Sequence, residues 1–356
     1  MIDPSLQRSV QTTGLTLAVA GAGAWLGTLL NLPAALLTGP ALAVSAAGLA
    51  GMRMEITPRL RDLAFLVIGI GIGSTVTPDT LLVMAQLPVA FVVLLALLAV
   101  MMLACQSMLT RSFGFEPKTA VLAAAPGHLS FVIGLSVEAG VDTLRVTVVQ
   151  AVRLLALTLI VPLIARALGV EITGNPLASG ATLPWVQFAA LLAVSLALGL
   201  LLIRLSVPAA LLIAAMVISA GAHGVDWVQG GLHPALGTAS FLTIGALIGT
   251  RFSGLGWAAL RKGLFAGLAV TLLASAIAGL GAVPVAYALG LDPVTVLAAF
   301  APGGFETMIA LGAVLGANPG FVAAAHVARL MCLTGLIPFM LGRARRQTAA
   351  QGAGAE

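Results

Sequence analysis

The chain has 356 residues, 60% of them hydrophobic and only 8% charged, and its mean hydropathy is +1.11. A soluble domain carries about 25% charged residues, so this composition excludes an ordinary soluble enzyme and points to an integral membrane protein. The net charge of +5 suggests nucleic acid at first sight, but Lys and Arg also collect in the cytoplasmic loops of membrane proteins, which is the reading preferred here.

In chain order the apolar runs fall at about 13–30, 33–51, 60–77, 81–109 and 143–166, then at 185–203, 207–222, 236–250, 263–289 and 319–341. Spans of about 17–25 apolar residues cross a bilayer core. The first run is read as a retained crossing, with a cleaved signal peptide as its rival. No strand alternation of an outer-membrane barrel is present. Cys105 and Cys332 lie in apolar runs and read as buried small residues without a disulfide framework.

Two further stretches are interrupted. AAAPGHLSFVIGL (123–135) and AAFAPGGFETMIAL (298–311) each carry a Pro-Gly break, at Pro126 and Pro302. Proline removes a helical hydrogen bond and pushes the residue before it out of the helix. The breaks belong to a repeat. At a shift of 176, residues 116–162 align with 292–338 without a gap, with 15 identities in 47 positions. These include Pro126/Pro302, Gly127/Gly303, Gly140/Gly316, Arg153/Arg329 and Pro162/Pro338. FLVIGIGIGS (65–74) faces FLTIGALIGT (241–250) at the same shift, and NLPAALL (31–37) faces SVPAALL (206–212) one residue off. The organisation expected is a first repeat at 10–168, an inter-repeat loop at 169–184, a second repeat at 185–343 and a cytoplasmic tail at 344–356.

With both broken segments treated as re-entrant there are ten crossings, and both termini lie inside. Fourteen Lys and Arg then fall inside, including Arg59, Arg61, Arg204, Arg251, Arg261 and Lys262, against Arg166 alone outside. Five crossings per repeat is odd, so the second repeat is inverted. The fold class expected is all-α and polytopic, with two inverted five-helix repeats, each holding one re-entrant broken helix. Inverted repeats with broken helices are the plan of many secondary transporters.

Broken backbone at membrane depth is tolerated only inside protein or along a watery cavity. A half-helix that begins after each break offers free N–H groups and partial positive charge to an anion. The residues read as substrate-binding are Gly127, His128 and Ser130 after the first break, and Gly303, Gly304 and Glu306 after the second, with Thr307 beside them. Arg153 and Arg329 sit about ten residues into their helices, where a charge costs about 2.5–3.5 kcal/mol on insertion scales, so each needs a partner or a ligand. Glu306 and Glu138 are the partners available for a purely structural ion pair. Gln150 and His326 precede the arginines by three residues and share their helix faces. Gly69/Gly73 and Gly245/Gly249 are four apart, which suits close helix packing and not a dinucleotide fingerprint. His223, Asp226 and His233 share one loop, but their spacing is a weak metal pattern. No metal, cofactor or nucleic-acid partner is expected. The partners expected are the lipid bilayer and a small anion, with homo-oligomer formation left open.

The duplicated APG[GH] segment, the turn near Gly140 and Gly316 and the Arg-bearing helix resemble the membrane AbrB family, also labelled ammonia monooxygenase. The resemblance covers nearly the whole chain in two copies, and APGGFETMIALGAVLGANPGFVAAAHVARL is its closest segment. The first copy departs from it, with His128 at the second Gly and Ser130 opposite Glu306. The family is similar to secondary transporters in layout. One of its labels implies ammonia oxidation, although only four His are present, two of them scattered. Another implies regulation of gene expression, although no soluble basic reading element is present. The function expected is a bacterial inner-membrane permease for a small anionic solute, working by alternating access. The alternatives are a membrane sensor or regulatory component and, further off, a membrane oxidoreductase.

Overall fold

A computed structural model describes residues 4–75, 87–127, 129–167, 169–170, 181–207 and 209–353. Among these are fourteen α-helices and no strand. The first helices are α1 (Pro4–Leu29), α2 (Ala35–Leu49), α3 (Pro58–Gly73) and α4 (Leu87–Phe113). Then follow α5 (Pro117–Ala124), α6 (Leu129–Glu138) and α7 (Thr143–Ala167). The second series is α8 (Trp185–Arg204), α9 (Ala210–Gly224), α10 (Pro234–Gly249) with a 3-10 turn at Thr250–Phe252, α11 (Trp257–Leu289), α12 (Pro293–Phe300), α13 (Phe305–Val314) and α14 (Pro319–Ala353). Every apolar run named above holds a helix, although part of the run at 81–109 lies outside the described residues. The last helix continues to Ala353, through most of the expected tail.

Four pairs of helices match in length along the two series, while α1 and α8, α4 and α11, and α7 and α14 differ. α2 and α9 have 15 residues each, and α3 and α10 have 16. α5 and α12 have 8, and α6 and α13 have 10. The irregular backbone matches too. Asn31 and Ala34 adopt left-handed φ of 53°, and Ser206 and Ala209 adopt 58° and 50°. Such angles cost an L-residue about 1–2 kcal/mol, so the same unfavourable turn stands before both α2 and α9.

The helices pack as two bundles, and each draws on both series. One holds α1, α2, α3, α8, α9 and α10, with α3 against α9 and α2 against α10. The other holds α4–α7 and α11–α14, with α7 against α11, α5 against α14 and α12 against α14. Glycines set the closest approaches in the first bundle. A Cβ added at Gly73 would lie 2.6 Å from the Met216 carbonyl oxygen, and one at Gly249 would lie 2.9 Å from the Ser45 backbone nitrogen. The four-residue glycine spacing is therefore used for helix packing. The bundles meet chiefly where α2, α3 and α10 touch α7 and α13.

Six helices are long and apolar enough to cross a membrane: Pro88–Phe113, Thr143–Ala167, Trp185–Arg204, Pro234–Phe252, Trp257–Leu289 and Pro319–Ala344. Shorter apolar helices lie at Ala35–Leu49, Ala210–Gly224 and Phe305–Val314. Apolar side chains such as Val186, Leu280, Phe265 and Phe339 face outward on these elements, as a lipid-facing surface requires.

Candidate functional site

Each break is built as the sequence dictates. Pro117 and Pro293 open α5 and α12 at the first helical position, where no donor is lost. The caps differ. Asp292 accepts hydrogen bonds from the Thr295 backbone N–H (2.8 Å) and hydroxyl (2.7 Å), whereas Glu116 makes no side-chain cap. Both helices stop after eight residues because a proline follows. Ala125 and Ala301, the pre-proline residues, are extended, with ψ of 118° and 134°.

Stopping a helix inside the protein strands its last carbonyls, which must find donors. The two buried arginines supply them. Arg153 Nη2 donates to the Ala125 carbonyl (3.0 Å) and Nη1 to that of Ala124 (3.4 Å). Arg153 Nη2 also donates to Gln150 Oε1, while Gln150 Nε2 donates to the carbonyls of Leu122 (3.0 Å) and Ala125 (2.9 Å). Arg329 Nη1 donates to the Ala301 carbonyl (2.6 Å) and Nη2 to that of Gly303 (2.7 Å). Arg153 and Arg329 are 1% and 2% exposed. A cation at the C-terminal end of a helix also meets the negative end of its dipole. The charge is thus held by neutral carbonyls, and the ion pair offered by Glu306 or Glu138 is not among these bonds. Glu138 is exposed at the end of α6.

His326 is buried. Its Nδ1 lies 2.9 Å from the Val322 carbonyl oxygen, and its ring stands edge-on to Phe305 at 6.3 Å. The loop histidines are engaged locally. His223 lies 2.7 Å from the Ser219 carbonyl and 3.1 Å from that of Gly230, and His233 caps α10 and stacks on Trp185. Among the described residues no group of three or more His, Cys, Asp or Glu could hold a metal ion.

A cavity of about 450 Å³ lies between the two bundles. The first bundle contributes Arg61, Asp62 and Phe65 of α3, Ile203 of α8, Ser206 and Val207 of the α8–α9 turn, and Leu247 and Arg251 at the end of α10. The second contributes both breaks: Gly127 and Leu129 from one, Gly304, Phe305, Glu306 and Thr307 from the other. Leu154, next to Arg153, completes the wall. Arg61 and Asp62 pair with each other at 2.8 Å. Arg251 lies within electrostatic reach of Glu306 and of Arg61.

Of the residues singled out in the sequence, Gly127, Gly304, Glu306 and Thr307 meet at this cavity. Arg153, Gln150, Arg329 and the Gly303 carbonyl form the layer behind it, and Pro126 and Pro302 are buried in the breaks. His128 and the side chain of Ser130 lie outside the described residues. Pro302 and Ala301 instead face a smaller apolar pocket of about 120 Å³ with Leu157, Val161, Ala298 and Leu315. The second break is therefore a partition, with a cavity that carries charged groups on one side and an apolar pocket on the other. Sequence reasoning counted Arg61 and Arg251 as loop charges only. The signal that could have found Arg251 is asymmetry between the copies: its counterpart at the 176-residue shift is the neutral Thr75.

Two bundles of apolar helices, with broken helices meeting at a charged cavity between them, define a polytopic helical protein of membrane type. Residues 36–344 match the family described as "Transition state regulatory protein AbrB". The chain belongs to this AbrB family. It is similar to the "Uncharacterized protein YhjN" of Bacillus subtilis (strain 168), at 25% identity over 308 residues, covering 80% of this chain and 78% of the relative.

Proposed function

We propose that this protein is an inner-membrane secondary transporter that binds a small anionic solute in the cavity between its bundles. One observation carries the reading: both Pro-Gly breaks and Arg251 line the same cavity of about 450 Å³. The anion preference rests on the field there. The N-terminal ends of α6 and α13 open onto the cavity, and Arg153 and Arg329 stand behind the breaks, where their hydrogen-bond partners among the described residues are neutral.

The topology proposed is ten crossings in two inverted repeats, with both termini in the cytoplasm. The matched helix lengths, the paired left-handed turns and the reciprocal packing of α3 on α9 and α2 on α10 support it. In that orientation Arg61, Ser206 and Arg251 mark the cytoplasmic mouth of the cavity. Arg166 lies at the opposite end, where its Nη1 donates to the Asn31 carbonyl at 2.7 Å and ties α7 to the turn before α2. This arrangement is an inward-facing state, and transport would rock one bundle against the other.

The test is a thermal-stability and calorimetric screen of the purified protein against acetate, pyruvate, succinate, citrate and phosphate, followed by liposome flux with any binder. Arg251→Gln is expected to weaken binding at least about tenfold, the effect of losing one charged hydrogen bond, while leaving the melting temperature nearly unchanged. Binding that is indifferent to Arg251 would remove the solute from this cavity. The family's description as a transition state regulatory protein favours a second reading, a ligand-sensing regulatory component. Binding without flux in either direction would select it.

A further inference from the structure

Arg251 and Glu306 line one cavity, and the first turn of α13 carries Glu306 into it. An anion attracted to Arg251 and to the N-terminal end of α13 must settle beside this carboxylate. The remaining wall is largely apolar, with Phe65, Leu129, Leu154, Ile244, Leu247 and Phe305. Two carboxylates that share such a site do not both stay ionised, because their repulsion is poorly screened there. The first copy has Ser130 at the matching position, so only the second break places a carboxylate in the solute's path.

We propose that Glu306 is the coupling group of the transporter: it takes one proton from the bulk for each solute anion bound, so that anion and proton move together. This inference rests on the reading of the cavity as an anion site.

Among the described residues, charged and titratable groups lie on each element packed against α13. α3 brings Arg61, which is paired with Asp62, and an exposed Arg59. The turn after α10 brings Arg251, and His233 stands at the far end of that helix. α7 brings Arg153, held by the α5 carbonyls and Gln150, with Arg145 paired to Asp142 and Arg166 bonded to Asn31. α12 brings Asp292, which caps its own helix. α14 brings Arg329, held by the carbonyls of Ala301 and Gly303, and His326 against Phe305, with Arg343 exposed near its far end. Among these, Glu306 is the carboxylate at the break. A proton on it removes the repulsion, and Arg251 is then left to the solute.

The experiment is calorimetric binding of the same five anions to the full-length protein in detergent, in buffers of different ionisation heat, from pH 5 to 8. Wild-type protein is expected to take up one proton per anion, with affinity falling by up to about tenfold per pH unit. Glu306→Gln should still bind, with no proton uptake and a flat pH profile, and Glu306→Asp should keep the uptake. In liposomes the wild-type flux should be driven by an inward proton gradient, and that of Glu306→Gln should ignore it. Binding without proton uptake, or a pH profile unchanged in Glu306→Gln, overturns the coupling and leaves the anion site standing. If none of the five anions binds the wild-type protein, the anion site itself fails and the coupling with it. A variant that fails to fold is recognised by its melting curve. Proton uptake that persists in a folded Glu306→Asp but disappears in a folded Glu306→Ala would support the proposal by the same logic.

Discussion

At the scale of single residues, the arginines are the instructive case. Their burial first suggests a ligand, because a bare charge at membrane depth costs several kcal/mol. The folded chain gives another answer: the breaks create stranded carbonyls, and each guanidinium has the fork geometry to hold two of them. Arg153 and Arg329 then fix the shape of the breaks without touching the cavity. Arg153→Gln and Arg329→Gln are each expected to lose about 2–4 kcal/mol of stability, since a charged hydrogen bond is worth about 1.5–3 kcal/mol and a stranded carbonyl adds to the cost. Chemical denaturation of the purified variants measures this. Lysine in place of either arginine should recover only part of the loss, because a point charge cannot bridge two carbonyls. Arg251→Gln should show the opposite pattern, with stability kept and binding lost.

At the scale of elements, glycines and prolines decide where helices stop and how closely they approach. Pro126 and Pro302 each end an eight-residue helix, which leaves α6 and α13 to begin at the cavity wall. Gly73 and Gly249 allow α3 and α10 to lie against α9 and α2 at backbone contact distance. Gly73→Val and Gly249→Val should each cost about 1–3 kcal/mol, the usual penalty of overpacking, or more where the neighbour is backbone. The same substitution at Gly21, where an added Cβ meets nothing within 4 Å, should cost far less. A comparison of melting temperatures for the three variants checks the contrast.

At the scale of the whole molecule, the cavity lies on the boundary between two bundles, so access to it depends on how they are set. The inward-facing reading makes a directional prediction. Cys105 and Cys332 are first replaced, and Leu247, a half-buried residue of the lining, is changed to Cys. A membrane-impermeant maleimide should label this thiol readily in inside-out vesicles and more than about tenfold more slowly in right-side-out ones. A bound anion should protect it. Equal labelling from both sides would remove the closed outer end.

Much of this was legible in the sequence. Composition alone fixes a membrane class, because so few charges cannot cover a soluble surface. The runs and the two prolines fix where helices begin and end, because a proline cannot be hydrogen-bonded into a helix interior whatever surrounds it. The 176-residue repeat announces paired elements, and the break motif marks Gly127, Gly304, Glu306 and Thr307, which line the cavity. What the chain did not declare is which polar groups serve backbone and which face open space. Arg153 and Arg251 are the same residue type, and their roles depend on whether a stranded carbonyl or a cavity lies at the guanidinium. That is decided by what tertiary packing sets against each guanidinium: for Arg153 a helix end 28 residues earlier in the chain, for Arg251 a cavity shared with residues as distant in sequence as Arg61.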